Sequence, residues 1–118
     1  MQITLYGIPN CDTVKKARAW LNDQGVDYLF HDFKKAGVSR AMLETWTSEV
    51  SWDALVNRRG TTWRGLPEAR RDAAVDADSA MVLMMESPSV IRRPVLVASG
   101  KVHVGFSTAE YAQLFSNS

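Results

Sequence analysis

Tyr6-Gly7-Ile8-Pro9-Asn10-Cys11-Asp12-Thr13-Val14-Lys15-Lys16-Ala17 is the stretch that decides the fold of this chain. The run before it, Ile3-Thr4-Leu5-Tyr6, is strand-like, and Gly7-Ile8-Pro9-Asn10 is a turn. Val14, Ala17, Trp20 and Leu21 then recur at the spacing of one helical face. Asn10 is a good N-cap residue, so Cys11 is expected on the first helical turn. The first N–H groups of a helix have no partner within it and carry partial positive charge, which favours a thiolate over a thiol. A free cysteine has a pKa of about 8.5, and helix N-termini and nearby cations lower it to roughly 3.5–7.5. A lone cysteine is more often a small buried hydrophobe. A polar helix start gives such a residue no reason to be there, so Cys11 is the candidate nucleophile.

The bulk composition narrows what this nucleophile can serve. The 118 residues are enough for one domain with a real core. A net charge of +1 creates no field toward nucleic acid or an acidic membrane surface, so neither is an expected partner. No apolar run approaches the length needed to span a bilayer, and the first six residues lack a signal-peptide pattern. The single cysteine cannot form an internal disulfide, and a reducing cytoplasm is the expected setting. His31 and His103 stand apart from any cysteine or carboxylate cluster at ligand spacing, so no metal site is expected.

Working outward, Gly25 reads as a C-cap position and Tyr28–Phe33 as a second strand. Two strands joined by a helix make a βαβ unit with parallel pairing. Near the other end, Val95–Ala98 and Lys101–Val104 flank Ser99-Gly100 as a hairpin with a two-residue turn. Ser107 and Glu110 have capping-box spacing, and Phe106 and Tyr111 the spacing of a hydrophobic staple, so a final helix starts there. Between the two ends no convincing strand occurs. Ser39 can cap a helix bearing Leu43, Trp46 and Val50, and Ser51 a shorter one with Trp52 and Leu55. Thr61–Leu66 reads as a turn or loop, and Pro67 as the first position of another short helix. Asp76 or Asp78 begins a helix running through Met81, Leu83, Met84 and Met85, with the methionines read as core filler.

The β-α-β then β-β-α order, with a cysteine at the first helix, is similar to the thioredoxin-like arrangement. Tyr6–Ala17, Asn57–Arg64, Asp76–Ser79, Ile91–Val97 and Gly105-Phe106 together resemble the ArsC family of arsenate-reductase-like proteins, in its YffB and Spx-type branch. The resemblance covers essentially the whole chain. It implies an α/β fold: a thioredoxin-like core (βαβ–ββα, four-stranded mixed sheet) formed by residues 1–34 and 90–118, with an inserted all-helical subdomain over residues 35–89. It also implies a cis peptide bond before Pro94, although a simple proline at a strand start is the alternative.

The same resemblance assigns roles. Cys11 is the catalytic nucleophile. Arg58, with Arg59 as a neighbour that can substitute, and Arg93 are the anion-binding arginines; Asn10 and Pro94 join them in holding substrate. Asp12, Thr13 and Lys15 are the residues expected to support the thiolate. Arginine suits such a site because its planar fork binds oxyanions and carboxylates with two parallel hydrogen bonds. Solvated surface charge is the alternative reading for the arginines, and the preferred one for Arg70 and Arg71. A third family arginine is expected near the end of the last strand, where this chain has Val104-Gly105-Phe106. Spx-type regulators carry C-x-x-C, and the second position here is Val14. Cys11 therefore needs an external thiol for turnover, with glutathione as co-substrate, no bound cofactor, and glutaredoxin as a further candidate partner. The implied function is a glutathione-dependent thiol reductase acting on an oxidised thiol or an oxyanion. The alternatives are an arsenate reductase, a non-catalytic Spx-like regulator that binds RNA polymerase, and an inert thioredoxin-like interaction domain.

Overall fold

The structure, a computed structural model, describes residues 2–116. Four strands form one mixed sheet: β1 (Ile3–Gly7), β2 (Leu29–Asp32), β3 (Val95–Ala98) and β4 (Lys101–Val104), in the order β2-β1-β3-β4. β1 and β2 are parallel, and the other two pairings are antiparallel. Helix α1 (Asp12–Asp23) makes the crossover between the parallel strands. The fold is the thioredoxin-like α/β core, with a helical subdomain inserted between β2 and β3.

Alternation along the strands sets which residues the sheet buries. β1 alternates buried and half-buried positions, with Ile3, Leu5 and Gly7 inward. Leu5 lies opposite Phe30 on one side and Leu96 on the other. Ile3, Leu5, Leu96 and Ala98 pack with Ala17 and Leu21 of α1 and with Tyr111. Burying a leucine side chain contributes roughly 1.5–3 kcal/mol, so Leu5, Leu21 and Leu96, all fully buried, are major anchors of this unit.

The hairpin falls where its residues place it. Ser99 (φ 52°) and Gly100 (φ 75°) both take left-handed backbone, as a type I′ turn requires. The insertion spans Phe33–Arg92 as its own compact unit. It contains α2 (Arg40–Glu49), α3 (Trp52–Leu55), α4 (Thr61–Gly65), α5 (Glu68–Asp72), α6 (Ala77–Glu86) and a 3-10 turn (Pro88–Val90). Ser39 accepts the Met42 N–H at 3.2 Å and Ser51 the Ala54 N–H at 3.4 Å, each capping its helix. Asp76 and Ser79 close a reciprocal capping box that fixes the start of α6. Met81, Leu83 and Met84 of α6 are buried, with Leu43 and Trp46 of α2 buried in the same unit. The final helix, α7 (Thr108–Ser116), begins where Ser107 accepts the Glu110 N–H at 3.1 Å. Phe106 meets Tyr111 edge-on at 4.7 Å, which is the staple contact.

Four local expectations are corrected. Cys11, not Asn10, is the N-cap of α1: its backbone is extended (φ −130°, ψ 126°) while its carbonyl accepts the Lys15 N–H at 2.9 Å. The second strand is Leu29–Asp32, shorter at both ends than Tyr28–Phe33, and Phe33 is buried in the helical unit. Thr61–Gly65 is a short helix rather than a loop. Arg71 helps to hold its C-terminal end by donating to the carbonyls of Arg64 and Leu66 at 3.1 and 3.0 Å. Pro67 is the N-cap of α5 and not its first helical residue, because its ψ of 146° is not helical.

Candidate functional site

The site is built at the junction of β1 and α1. β1 ends at Gly7, which is buried against α1: a Cβ there would stand 2.8 Å from Cγ2 of Val14. This close approach seats the first turn of α1 directly on the strand end. The turn Ile8-Pro9-Asn10 then delivers Cys11 to the cap position, where the first free amides of the helix begin.

Cys11 is half-buried. Burial alone raises a thiol pKa, and burial is the largest single influence on Cys11. It is outweighed by the Val14 N–H, by a hydrogen bond and the charge of the Arg93 guanidinium, and by the Thr13 N–H, which together bring the pKa below the ordinary thiol value. The sulfur closes no full side-chain capping bond, so the amides act on it mainly as oriented dipoles. The arrangement is an electropositive cradle for a thiolate, the reactive form of cysteine.

Arg93 reaches the cradle from the residue before Pro94, which precedes β3. It is half-buried, Pro94 is buried, and the bond between them is cis. The Pro94 carbonyl accepts the Gly105 N–H at 2.8 Å, which ties the start of β3 to the end of β4. The segment Val104-Gly105-Phe106 that follows presents no arginine. Of the residues expected to support the thiolate, Thr13 contributes through its backbone amide. Asp12 and Lys15 are exposed on the first turns of α1, and Asn10 is exposed just before it.

Arg58 and Arg59 belong to the helical unit. Arg58 pairs with Asp53, and its guanidinium carbon lies 5.8 Å from the Trp52 ring centre and 5.5 Å from that of Trp63. Arg59 is exposed; its N–H donates to Asn57 Oδ1 at 3.2 Å, and its carbonyl accepts from Arg64 at 3.2 and 2.7 Å. The sequence reading missed Asp53, Trp52 and Trp63 as neighbours of Arg58. Arg58 lies in a turn outside every helix and strand, so no helical or strand period relates it to them. Among the described residues, no group of three His, Cys, Asp or Glu side chains could hold a metal ion.

The family model of the ArsC family matches residues 6–114. The chain belongs to the ArsC family. Among solved structures it is similar to the YFFB protein, at 46% identity and a TM-score of 0.90, with 95% of this chain and 97% of that chain covered. It is also similar to an arsenate reductase (ArsC) related protein from Brucella melitensis, at 52% identity and a TM-score of 0.75, over 98% of this chain and 95% of that chain. A more distant curated relative is the global transcriptional regulator Spx of Streptococcus agalactiae, 29% identical over 115 residues, which are 92% of this chain and 79% of that protein. This ArsC-family chain therefore has relatives in the YffB, ArsC and Spx-type branches. Membership is consistent with thiol-based redox chemistry, and none of the described helices is long and apolar enough to cross a membrane.

Proposed function

We propose that this ArsC-family chain is a glutathione-dependent thiol reductase working in a reducing cytoplasm, with Cys11 as its only redox-active group. The observation that carries the reading is the cradle itself: a half-exposed cysteine whose thiolate is favoured by the Val14 and Thr13 amides and by Arg93. The chain contains one cysteine, so the second thiol of any exchange cycle comes from outside.

The cycle has two displacements. The Cys11 thiolate attacks the glutathionyl sulfur of a mixed disulfide; a Cys11–glutathione disulfide forms and the substrate leaves as a thiolate, which takes a proton from water. A second glutathione thiolate then attacks that disulfide. Oxidised glutathione leaves and the Cys11 thiolate returns. The electron pair that reduces the substrate comes from glutathione. Arg93 favours the thiolate both as attacking group and as leaving group in the second step. Asn10, next to Cys11 in sequence, and Pro94, next to Arg93, are the candidates for holding the peptide, while Arg58 and Arg59 of the helical unit are anion-binding candidates by the family resemblance alone. Arsenate reduction is the second reading, supported by the similarity to the arsenate reductase related protein. The absence of an arginine at Val104-Gly105-Phe106 removes one positive charge from it.

The test couples the protein, glutathione and a glutathione mixed disulfide to an assay for oxidised glutathione. The reading expects turnover that Cys11→Ser abolishes, and a trapped adduct of one glutathionyl group on Cys11 by mass spectrometry. Turnover with arsenate but not with mixed disulfides moves the assignment to the second reading. Absence of both, with no adduct, removes the enzyme assignment and favours the regulator or interaction-domain alternatives.

A further inference from the structure

The β3–β4 hairpin ends, away from its turn, in a residue pair that holds by one bond. Val95 lies opposite Val104, so Pro94 and Gly105 face each other one step further out. Facing residues in a hydrogen-bonded pair of an antiparallel ladder exchange two N–H···O bonds. Pro94 has no N–H to give, so the Gly105 N–H, which donates to the Pro94 carbonyl at 2.8 Å, makes this link alone.

Gly105 is also fixed on its other side. Phe106 meets Tyr111 edge-on at 4.7 Å, and Ser107 accepts the Glu110 N–H at the start of α7. Between these two attachments Gly105 takes left-handed backbone, with φ 85°. Glycine adopts that conformation readily, whereas a residue with a Cβ does not. A Cβ on Gly105 would meet nothing within 4 Å, so the requirement is one of backbone conformation and not of space.

The joint anchors the residue pair that leads into β3. β3 lies beside β1 with Val95 opposite Tyr6, so Arg93-Pro94 sits at the end of the sheet where β1 runs on into the turn before Cys11. Arg93 is the part of the thiolate cradle that comes from elsewhere in the chain. Where its guanidinium can reach depends on where its backbone is held.

We propose that Gly105 is a positioning residue of the Cys11 site: its left-handed backbone lets one N–H hold Pro94, and through Pro94 the reach of Arg93, while the chain turns into α7. Gly105 acts through Arg93 and not on the sulfur itself. The inference deepens the thiol-reductase reading and rests on it for the use made of the thiolate.

The hairpin supplies a matched control. Gly100, at its opposite end, has φ 75° and equally open space around a would-be Cβ. Alanine at either position therefore meets the same backbone penalty, and only Gly105 holds Pro94. The measurement is the pH midpoint of Cys11 alkylation by iodoacetamide on the intact protein, with thermal melts alongside. Gly105→Ala is expected to raise the midpoint and to lower the thiolate fraction on its acid side roughly two- to fivefold, the equivalent of one backbone hydrogen bond. Gly105→Asn should raise it less, because asparagine tolerates left-handed backbone better than alanine. Gly100→Ala should lower the melting temperature and leave the midpoint in place. In an Arg93→Ala background Gly105→Ala should add nothing to the midpoint, since the residue it positions is gone. Three results each overturn the proposal: a midpoint indifferent to Gly105→Ala, an equal rise in Gly100→Ala, or a further rise when Gly105→Ala is added to Arg93→Ala. If Gly105→Ala does not fold, Gly105→Asn is read against the same control and the same background. These measurements use no glutathione, whereas the reductase reading fails by the lack of a Cys11–glutathione adduct, so the two failures are told apart.

Discussion

Arg93 lowers the pKa of the Cys11 thiol through a hydrogen bond and its charge, although 82 positions separate the two residues along the chain. The topology explains the meeting. β1 and β3 are neighbours in the sheet, so the turn after β1 and the residue pair before β3 lie at the same end. The Val14 and Thr13 amides supply a local contribution to the cradle, and Arg93 supplies the one that depends on tertiary structure.

Arg93→Ala is expected to raise the Cys11 pKa by removing a hydrogen bond and a charge together, and Arg93→Lys to raise it less because the charge stays. Thiolate absorbance in the ultraviolet, followed against pH in the two variants, checks the order.

The same shift links pH to stability. A thiol whose pKa is lower in the folded chain than in the unfolded one stabilises the fold above the unfolded value, and that contribution is lost as pH falls through the folded value. The stability difference between the wild type and Cys11→Ser should therefore move in favour of the wild type as pH is raised across that window. Urea denaturation at a series of pH values measures it.

Gly7→Ala is expected to destabilise by about 1–3 kcal/mol, because the new Cβ would stand 2.8 Å from a Val14 methyl in a packed interior. Val14→Ala in the same chain should recover part of the loss of fit. Thermal melts of the single and double variants separate this clash from a general effect.

Tyr111→Phe is expected to stabilise the protein by about 1 kcal/mol. The ring is fully buried and its hydroxyl oxygen has no hydrogen-bond partner among the described residues, so removing it relieves a desolvation cost without losing a bond. The edge contacts of the ring with Phe106 and Trp20 remain available to phenylalanine. Chemical denaturation gives the sign directly.

Much of the fold was legible because its signals are local. Ser99-Gly100 demanded left-handed backbone, Ser107 with Phe106 and Tyr111 marked a helix start, and Ser39, Ser51 and Asp76 each capped the helix that follows. Thr61–Gly65 was not legible, since part of what holds that five-residue helix is Arg71, beyond its end. The cap of α1 lies one residue later than propensity places it: Asn10 is the better capping residue, but Cys11 has the extended backbone that ends at the first helical turn. At the site, Cys11 could be read from its position ahead of a helix. The meeting with Arg93 is a property of strand order and was available only through family resemblance. The indoles and carboxylate around Arg58 gather on a turn residue to which no element's period applies, and came from the structure alone.

The rate of Cys11 alkylation by iodoacetamide as a function of pH is the most direct measurement of the central claim. The account predicts a single titration with its midpoint below that of a free thiol measured alongside, moving upward in Arg93→Ala. A midpoint at or above the free thiol, or one indifferent to Arg93→Ala, would contradict it.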